Sequence, residues 1–376
     1  MSLSLLRRSR AVWVTALAAG ALALGGLPAT ASPAGFIGPL THNDTVASTI
    51  PANGDVNPYG VAIVPASRDK LIKGDVLVSN FNNAPTASAP GGLQGTGTTL
   101  VEISPSGHRS LFARISPAAV PGGVGLTTAL VVLRSGWVIV GSLPTTDGTS
   151  ATARRGSLIV LDSNGMVRET ITGHGINGPW DATALDLGHF AELFVSNVLT
   201  GIVNGQPAAT TNGDVVRLVL DLRGSTPRVL VSTVIANGLP VRTDPAALII
   251  GPTGLALGPD GTLFVADTVG SRIARIPDAL FRLTPVNAGL PAATVSADKH
   301  LNGPLGLALA PNGDLLSVNA GDNFIVELTR DGTFVAARNL DPADPPGGAL
   351  FGLATTQGPP AVYYVNDDTN TLNILH

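Results

Sequence analysis

Residues 251–276 read GPTGLALGPDGTLFVADTVGSRIARI. Apolar residues alternate in GLAL and again in TLFVAD, and Pro259-Asp260-Gly261 between them has the residues of a tight turn, so the stretch begins as two antiparallel strands. A polar turn follows and SRIARI continues as a third strand. Strands this short cannot bury a face alone, so the question is whether the unit recurs.

It occurs six times in all. Inner strands begin as GVAIVP from Gly60, TALVVL from Thr128, DATALDL from Asp181, GLALGP from Gly254, GLALAP from Gly306 and GLATTQ from Gly352. Second strands end on a small polar residue each time: Asn80, Ser142, Asn197, Asp267, Asn319 and Asn366. Third strands follow as TTLVEI, GSLIVL, GDVVRLVL, SRIARI, NFIVEL and TLNIL. Fourth strands fit 108–115, 166–172, 227–235, 292–297 and 333–340, and the sixth copy has none before His376. Four-stranded units spaced about 46 to 74 residues apart, with Gly, Asn and Asp turns, predict an all-β fold, a six-bladed β-propeller. The expected blades are about 56–115, 124–173, 177–237, 251–298, 302–340 and 347–376. TVASTI, residues 45–50, precedes them and is expected to complete the last blade as its outer strand, because an open blade would leave an unpaired edge.

The pattern at 251–276, and more loosely NGPLGLALAPNGDLLSVNAGDNFIVEL at 302–328, resembles the NHL repeat. Propellers similar in blade pattern include the SMP-30/gluconolactonase lactonases, the streptogramin lyases and the amidating lyases. The resemblance implies a propeller that is either a binding module or an enzyme.

Composition narrows the classes. Charged residues are 13% and hydrophobic ones 44%, which suits a globular chain; 376 residues alone suggest two or three domains, but the repeats make 32–376 a single propeller domain. Arg7, Arg8 and Arg10 precede an apolar run to Leu27, and Ala29-Thr30-Ala31 has the small-x-small form of a leader cleavage site. We therefore expect a signal peptide over 1–31 and a secreted or periplasmic product. The dominance of arginine over Lys70, Lys73 and Lys299 suggests a bacterial source. The chain has no cysteine, which removes disulfides, thiolate metal sites and a lipidated cysteine anchor. A net charge of -4, without clustered basic residues, argues against a nucleic-acid partner.

One face of the ring is expected to carry the function. The connections after Asn80, Ser142 and Asn197 are long, whereas those of blades four to six are short, and turns on the opposite face, such as GPDG and APNG, are tight. Long loops over half a face commonly build a binding cleft. Aligned on Thr253, the residues that begin the inner strands are Tyr59, Thr127, Trp180, Thr253, Leu305 and Phe351. Tyr59, Trp180 and Phe351 suit either an apolar or planar ligand or a plug of the channel. Asn80, Ser142, Asn197, Asp267, Asn319 and Asn366 form a second ring, which either orients a ligand or satisfies turn amides.

The lactonase resemblance implies a divalent cation such as calcium held by Glu, Asn and Asp at the inner-strand starts. None of the six aligned positions has a carboxylate or amide; Asn177, Asp181 and Asn302 lie one to three residues away. A hard cation needs several converging oxygens, so the metal ligands, if any, are unassigned. The lyase resemblance points to histidines, and His174 and His300, each shortly before Asn-Gly-Pro, are the candidates, with Asp181 as a candidate acid. The leading reading is a secreted propeller binding a small molecule or an extracellular protein at the loop-rich face, monomeric and without a membrane anchor. The alternative is an exported hydrolase or lyase acting at the same face.

Overall fold

The computed structural model describes residues 35–344 and 347–376; the expected signal peptide lies outside them. Six antiparallel sheets form the blades of a propeller. The first contains β2 (Val56–Ile63), β3 (Val76–Asn82), β4 (Thr99–Ile103) and β5 (Arg109–Arg114), and the second β6 (Leu126–Val132), β7 (Val138–Ser142), β8 (Ser157–Leu161) and β9 (Val167–Ile171). The third has β10 (Pro179–Asp186), β11 (Phe190–Asn197), β12 (Ala209–Asp221), β13 (Arg228–Asp244) and β14 (Leu248–Ile250), with β18 (Val286–Asn287) added parallel to β13. The fourth is β15 (Pro252–Leu257), β16 (Leu263–Asp267), β17 (Arg272–Ile276) and β19 (Thr294–Ser296). The fifth is β20 (Pro304–Leu309), β21 (Leu315–Asn319), β22 (Phe324–Leu328) and β23 (Phe334–Asn339). The last joins β24 (Leu350–Thr355), β25 (Val362–Asn366) and β26 (Thr371–Leu375) to β1 (Asn43–Ser48), from the other end of the chain.

Every inner strand carries a register shift near its start: Pro58/Val61, Leu126/Leu130, Pro179/Ala182, Pro252/Leu255, Pro304/Gly306 and Leu350/Leu353. A bulge re-aims a side chain and bends its strand. Here it lies beside Tyr59, Thr127, Trp180, Thr253, Leu305 and Phe351. Next along the strand, a Cβ on Gly352 would lie 2.3 Å from the Tyr59 carbonyl oxygen, so the close approach of neighbouring blades requires glycine there. Hydroxyls fasten blade to blade. Ser79 donates to the Thr127 carbonyl (2.8 Å), Ser196 to the Thr253 carbonyl (2.8 Å) and Thr268 to the Pro304 carbonyl (2.8 Å).

The expected ring closure is present. β1 pairs antiparallel with β26 from Asn43↔Leu375 to Ser48↔Thr371, and His42 and His376 exchange backbone hydrogen bonds of 2.9 Å. The Tyr364 hydroxyl donates to Asn43 Oδ1 at 2.6 Å. The segment before β1 adds a second fastening not read from the sequence. Ile37 and Leu40 are buried against blades five and six, and the carboxylate of buried Glu327 accepts the backbone N–H groups of Phe36 and Ile37.

Removing residues up to 50 should therefore loosen the whole ring. Ile37 and Leu40 alone account for about 2 kcal/mol each, so with the lost ladder the melting temperature should fall by ~10 °C or more. An unchanged thermal melt of a chain beginning at residue 51 would show that closure is not needed.

Candidate functional site

The axis is filled at the loop-rich face. The Tyr59 ring stacks on Phe351 (centroids 3.9 Å apart, planes at 17°) and on Phe81 (4.4 Å, 17°), and Trp180 lies tilted at 5.8 Å. Stacked and tilted ring contacts add to the apolar area they bury. Tyr59, Thr127, Trp180 and Thr253 are wholly inaccessible, and Leu305 and Phe351 nearly so. Phe81 was not singled out in the sequence, although it directly follows Asn80 on a strand whose side chains are all buried. Leu143, Val198 and Ile202, from the connections above, and Val241 and Ile249, from β13 and β14, join the same core. The three aromatics thus come together as a plug under a layer of loops. Burial, then the negative charge of Asp367, pushes the Tyr59 hydroxyl well above its usual pKa, so it stays protonated.

The second ring is tied into hairpins and blade junctions. Asn197 accepts the N–H groups of Asn177 (2.9 Å) and Gly178 (3.2 Å) and donates to Asp214 (2.8 Å). Asn80 donates to the Thr49 carbonyl, Asn319 to the His300 carbonyl, Ser142 to the Gly123 carbonyl, and Asn366 to Asp341. Asp267 is fully buried and accepts Arg272 Nε at 2.8 Å and the Gly270 N–H at 2.9 Å. Arg272 then spends its other donors on the Ala288 and Leu290 carbonyls and Thr294 Oγ1. Each of these side chains makes a hydrogen bond inside the fold, while Asn80 Oδ1 and Asn319 Oδ1 are buried without a partner.

A cleft of about 420 Å³ opens on this face over blades four to six. Leu305 and Phe351 line its base and the β13–β14 hairpin forms one wall. That hairpin projects from the blade because β13 continues to Asp244, well beyond the expected end near 235. Its tip is set by Asp244 Oδ1, which accepts the N–H groups of Ala246 (2.9 Å) and Ala247 (3.1 Å). Leu248 closes the turn with φ 63°, a left-handed conformation that is rare for a bulky side chain and is held here by full burial. Arg242 pairs with Asp244 at 2.7 Å on this wall, and the exposed Asn302 lies across from it on the inter-blade connection. The long loops of blades one to three cover the plug, and the short connections of blades four to six leave the cleft open beside them.

On the other side of the plug, the inner strands of all six blades enclose an axial well of about 310 Å³. Asp181 belongs to this well and not to the cleft; its Oδ2 accepts the Leu255 N–H at 2.9 Å. Burial pushes it from 3.8 to about 7, against the pull of the Leu255 and Ala182 N–H groups. The two histidines stand apart. His174 is exposed, and its carbonyl accepts the Ser232 hydroxyl. His300 stacks on Phe334 at 3.9 Å and its Nδ1 lies 2.6 Å from Asp298. Neither lines the cleft or the well.

Known structures share this architecture. A gluconolactonase from Xanthomonas campestris is 14% identical, with 89% of this chain and 88% of that one covered and a TM-score of 0.54. Regucalcin, a calcium-binding protein from Agrobacterium tumefaciens, is 16% identical over 87% and 92%, with a TM-score of 0.50. A catalytically inactive virginiamycin B lyase from Staphylococcus aureus is 15% identical over 88% and 84%, with a TM-score of 0.48. The chain is a six-bladed propeller, and its fold is that of the gluconolactonase and of regucalcin. No protein-family profile and no curated protein matches it.

A lactonase-type divalent site does not fit the residues at the axis. The inner-strand starts offer stacked rings, aliphatic groups and two threonine hydroxyls, and among the described residues no three His, Cys, Asp or Glu side chains are grouped to hold a metal ion.

Two outcomes follow from the buried charges. Arg272→Ala strands the Asp267 carboxylate and should cost ~3–5 kcal/mol in urea unfolding; a loss below about 1 kcal/mol would mean the pair contributes little. For Asp181, a carboxyl with a folded pKa above its unfolded one stabilises fully below about pH 4, and that stability fades as pH rises through about 7. Asp181→Asn should flatten this decline by up to about 4 kcal/mol, while Asp367, also pushed to about 7, titrates in both proteins. Parallel stability curves between pH 4 and 8 would place the titration elsewhere.

Proposed function

We propose that this chain is an exported propeller that binds a small ligand with an apolar, planar body in the cleft beside the β13–β14 hairpin. The observation that carries this reading is the cleft itself. Its base is the edge of an aromatic plug, at Phe351 and Leu305, and its polar groups with donors to spare are the Arg242 guanidinium and the Asn302 amide. Guanidinium has five N–H donors, of which Asp244 takes only some, so a planar ligand with an anionic or carbonyl edge suits the site. The volume falls within the range of small-molecule pockets. Export is the reading supported by the arginine-led apolar run and Ala29-Thr30-Ala31.

The hydrolase or lyase alternative draws on the fold shared with lactonase-like proteins. General acid–base chemistry needs a proton donor or acceptor within reach of the bound substrate. The cleft is lined by no histidine, and the carboxylate that lines it is paired with Arg242. Asp181 lines the well on the other side of the plug. Binding is therefore the better supported role.

The test uses 1-naphthoate and its uncharged analogue 1-naphthalenemethanol as probes in calorimetric titration. We expect 1-naphthoate to bind more tightly, Arg242→Ala to remove the preference, and Ala246→Trp, which fills the cleft from the exposed hairpin tip, to weaken both at least ~10-fold, on the order of 1.4 kcal/mol. Unchanged binding in Ala246→Trp would place the ligand elsewhere, and no binding of either probe would remove this ligand class.

A further inference from the structure

We propose that the axial well binds one small monovalent cation, an alkali ion or ammonium, against the Asp181 carboxylate. The well is independent of the cleft. Its lining runs from Asp181 beneath the plug to Ile63, Val132, Leu257, Leu309 and Thr355, where those inner strands end at the short-turn face. Tyr59, Trp180 and Phe351 close it above, so it is a blind pocket with a carboxylate near its closed end.

Three features make that carboxylate unusual. Its position in the ring is occupied by Gly60, Gly254, Gly306 and Gly352 in four other blades, where the next strand comes too close for a side chain: a Cβ on Gly254 would lie 2.4 Å from the Leu307 nitrogen. Blade two has Thr128 there, and only blade three has an acid. Asp181 is about nine-tenths buried, yet no Lys, Arg or His lines the well, and Asp181 is its one titratable group. The Leu255 N–H holds Oδ2 and the Ala182 N–H also favours the carboxylate, but no side chain donates to either oxygen. A buried carboxylate without a counter-charge is costly unless it is neutralised.

The surroundings define what can neutralise it. Each inner strand is hydrogen-bonded on one side only, so the opposite edge of six strands presents backbone carbonyls and N–H groups to the axis. Carbonyl oxygens with one carboxylate match a hard cation of single charge; a divalent ion would call for more carboxylates than the one present. A proton competes for the same oxygens, consistent with the upward shift of Asp181, so occupancy should be greatest above neutral pH.

The experiment measures thermal stability of the purified protein at pH 8 and constant ionic strength, replacing tetramethylammonium chloride stepwise by potassium, sodium or ammonium chloride. The expected result is a saturable rise in Tm of ~2–4 °C with at least one of the small cations, absent in Asp181→Asn. The rank of the three separates an alkali ion from ammonium. Crystals soaked in rubidium chloride supply a second readout that needs no variant: an anomalous peak beside Asp181 is expected. An equal rise in Asp181→Asn, no advantage over tetramethylammonium, or an absence of rubidium from the well would overturn the proposal.

Discussion

A ring of sheets holds its shape only if its last sheet is joined to its first, and here that joint is the pairing of β1 with β26. The remaining blades are each completed by residues close in sequence, so their strands can pair locally. The sixth takes its outer strand from elsewhere in the chain, and without it the backbone groups along β26 would face solvent as an open edge. β1 fills that place. The anchor of Ile37, Leu40 and Glu327 beyond it shows that the closing segment is held by burial and charge-assisted hydrogen bonds as well as by the ladder.

Closure brings six inner strands around one axis, and what occupies that axis divides the molecule. Strand bulges lie beside one residue per blade at the same height, and three of those six residues are large aromatics. They pack on one another and separate a cleft on the loop-rich face from a well on the short-turn face. The two cavities have different chemistry: ring edges, a guanidinium and an amide in the first, backbone edges and a single carboxylate in the second.

The legible parts of the sequence were those with a local cause. Alternation and turn residues marked the strands, the repeated inner-strand start aligned Tyr59, Trp180 and Phe351, and the missing sixth outer strand pointed to TVASTI. The ring ending at Asn80, Asp267 and Asn366 was legible as a pattern but not as a role. An Asn or Asp at a strand end looks the same whether it meets a ligand or a turn amide, and the hydrogen bonds that distinguish the two come from residues such as Thr49, Arg272 and Asp341, on other parts of the chain. The β13–β14 hairpin was hidden for a related reason: NGLPVRTDPAALII contains two prolines, Pro240 and Pro245, and a turn, and its strand character depends on β12 continuing alongside it.

The sequence by itself determined the all-β class, the number of blades, the need for a closing strand and the residues aligned at the axis, because period, turn chemistry and strand count are properties of neighbouring residues. Tertiary structure alone decided that the aromatics stack into a plug, that Asp181 lines the well below it, and that the cleft is walled by the hairpin. Those outcomes depend on which side of a bulge a side chain leaves and on how closely two distant backbones approach, and both are settled only when the ring closes.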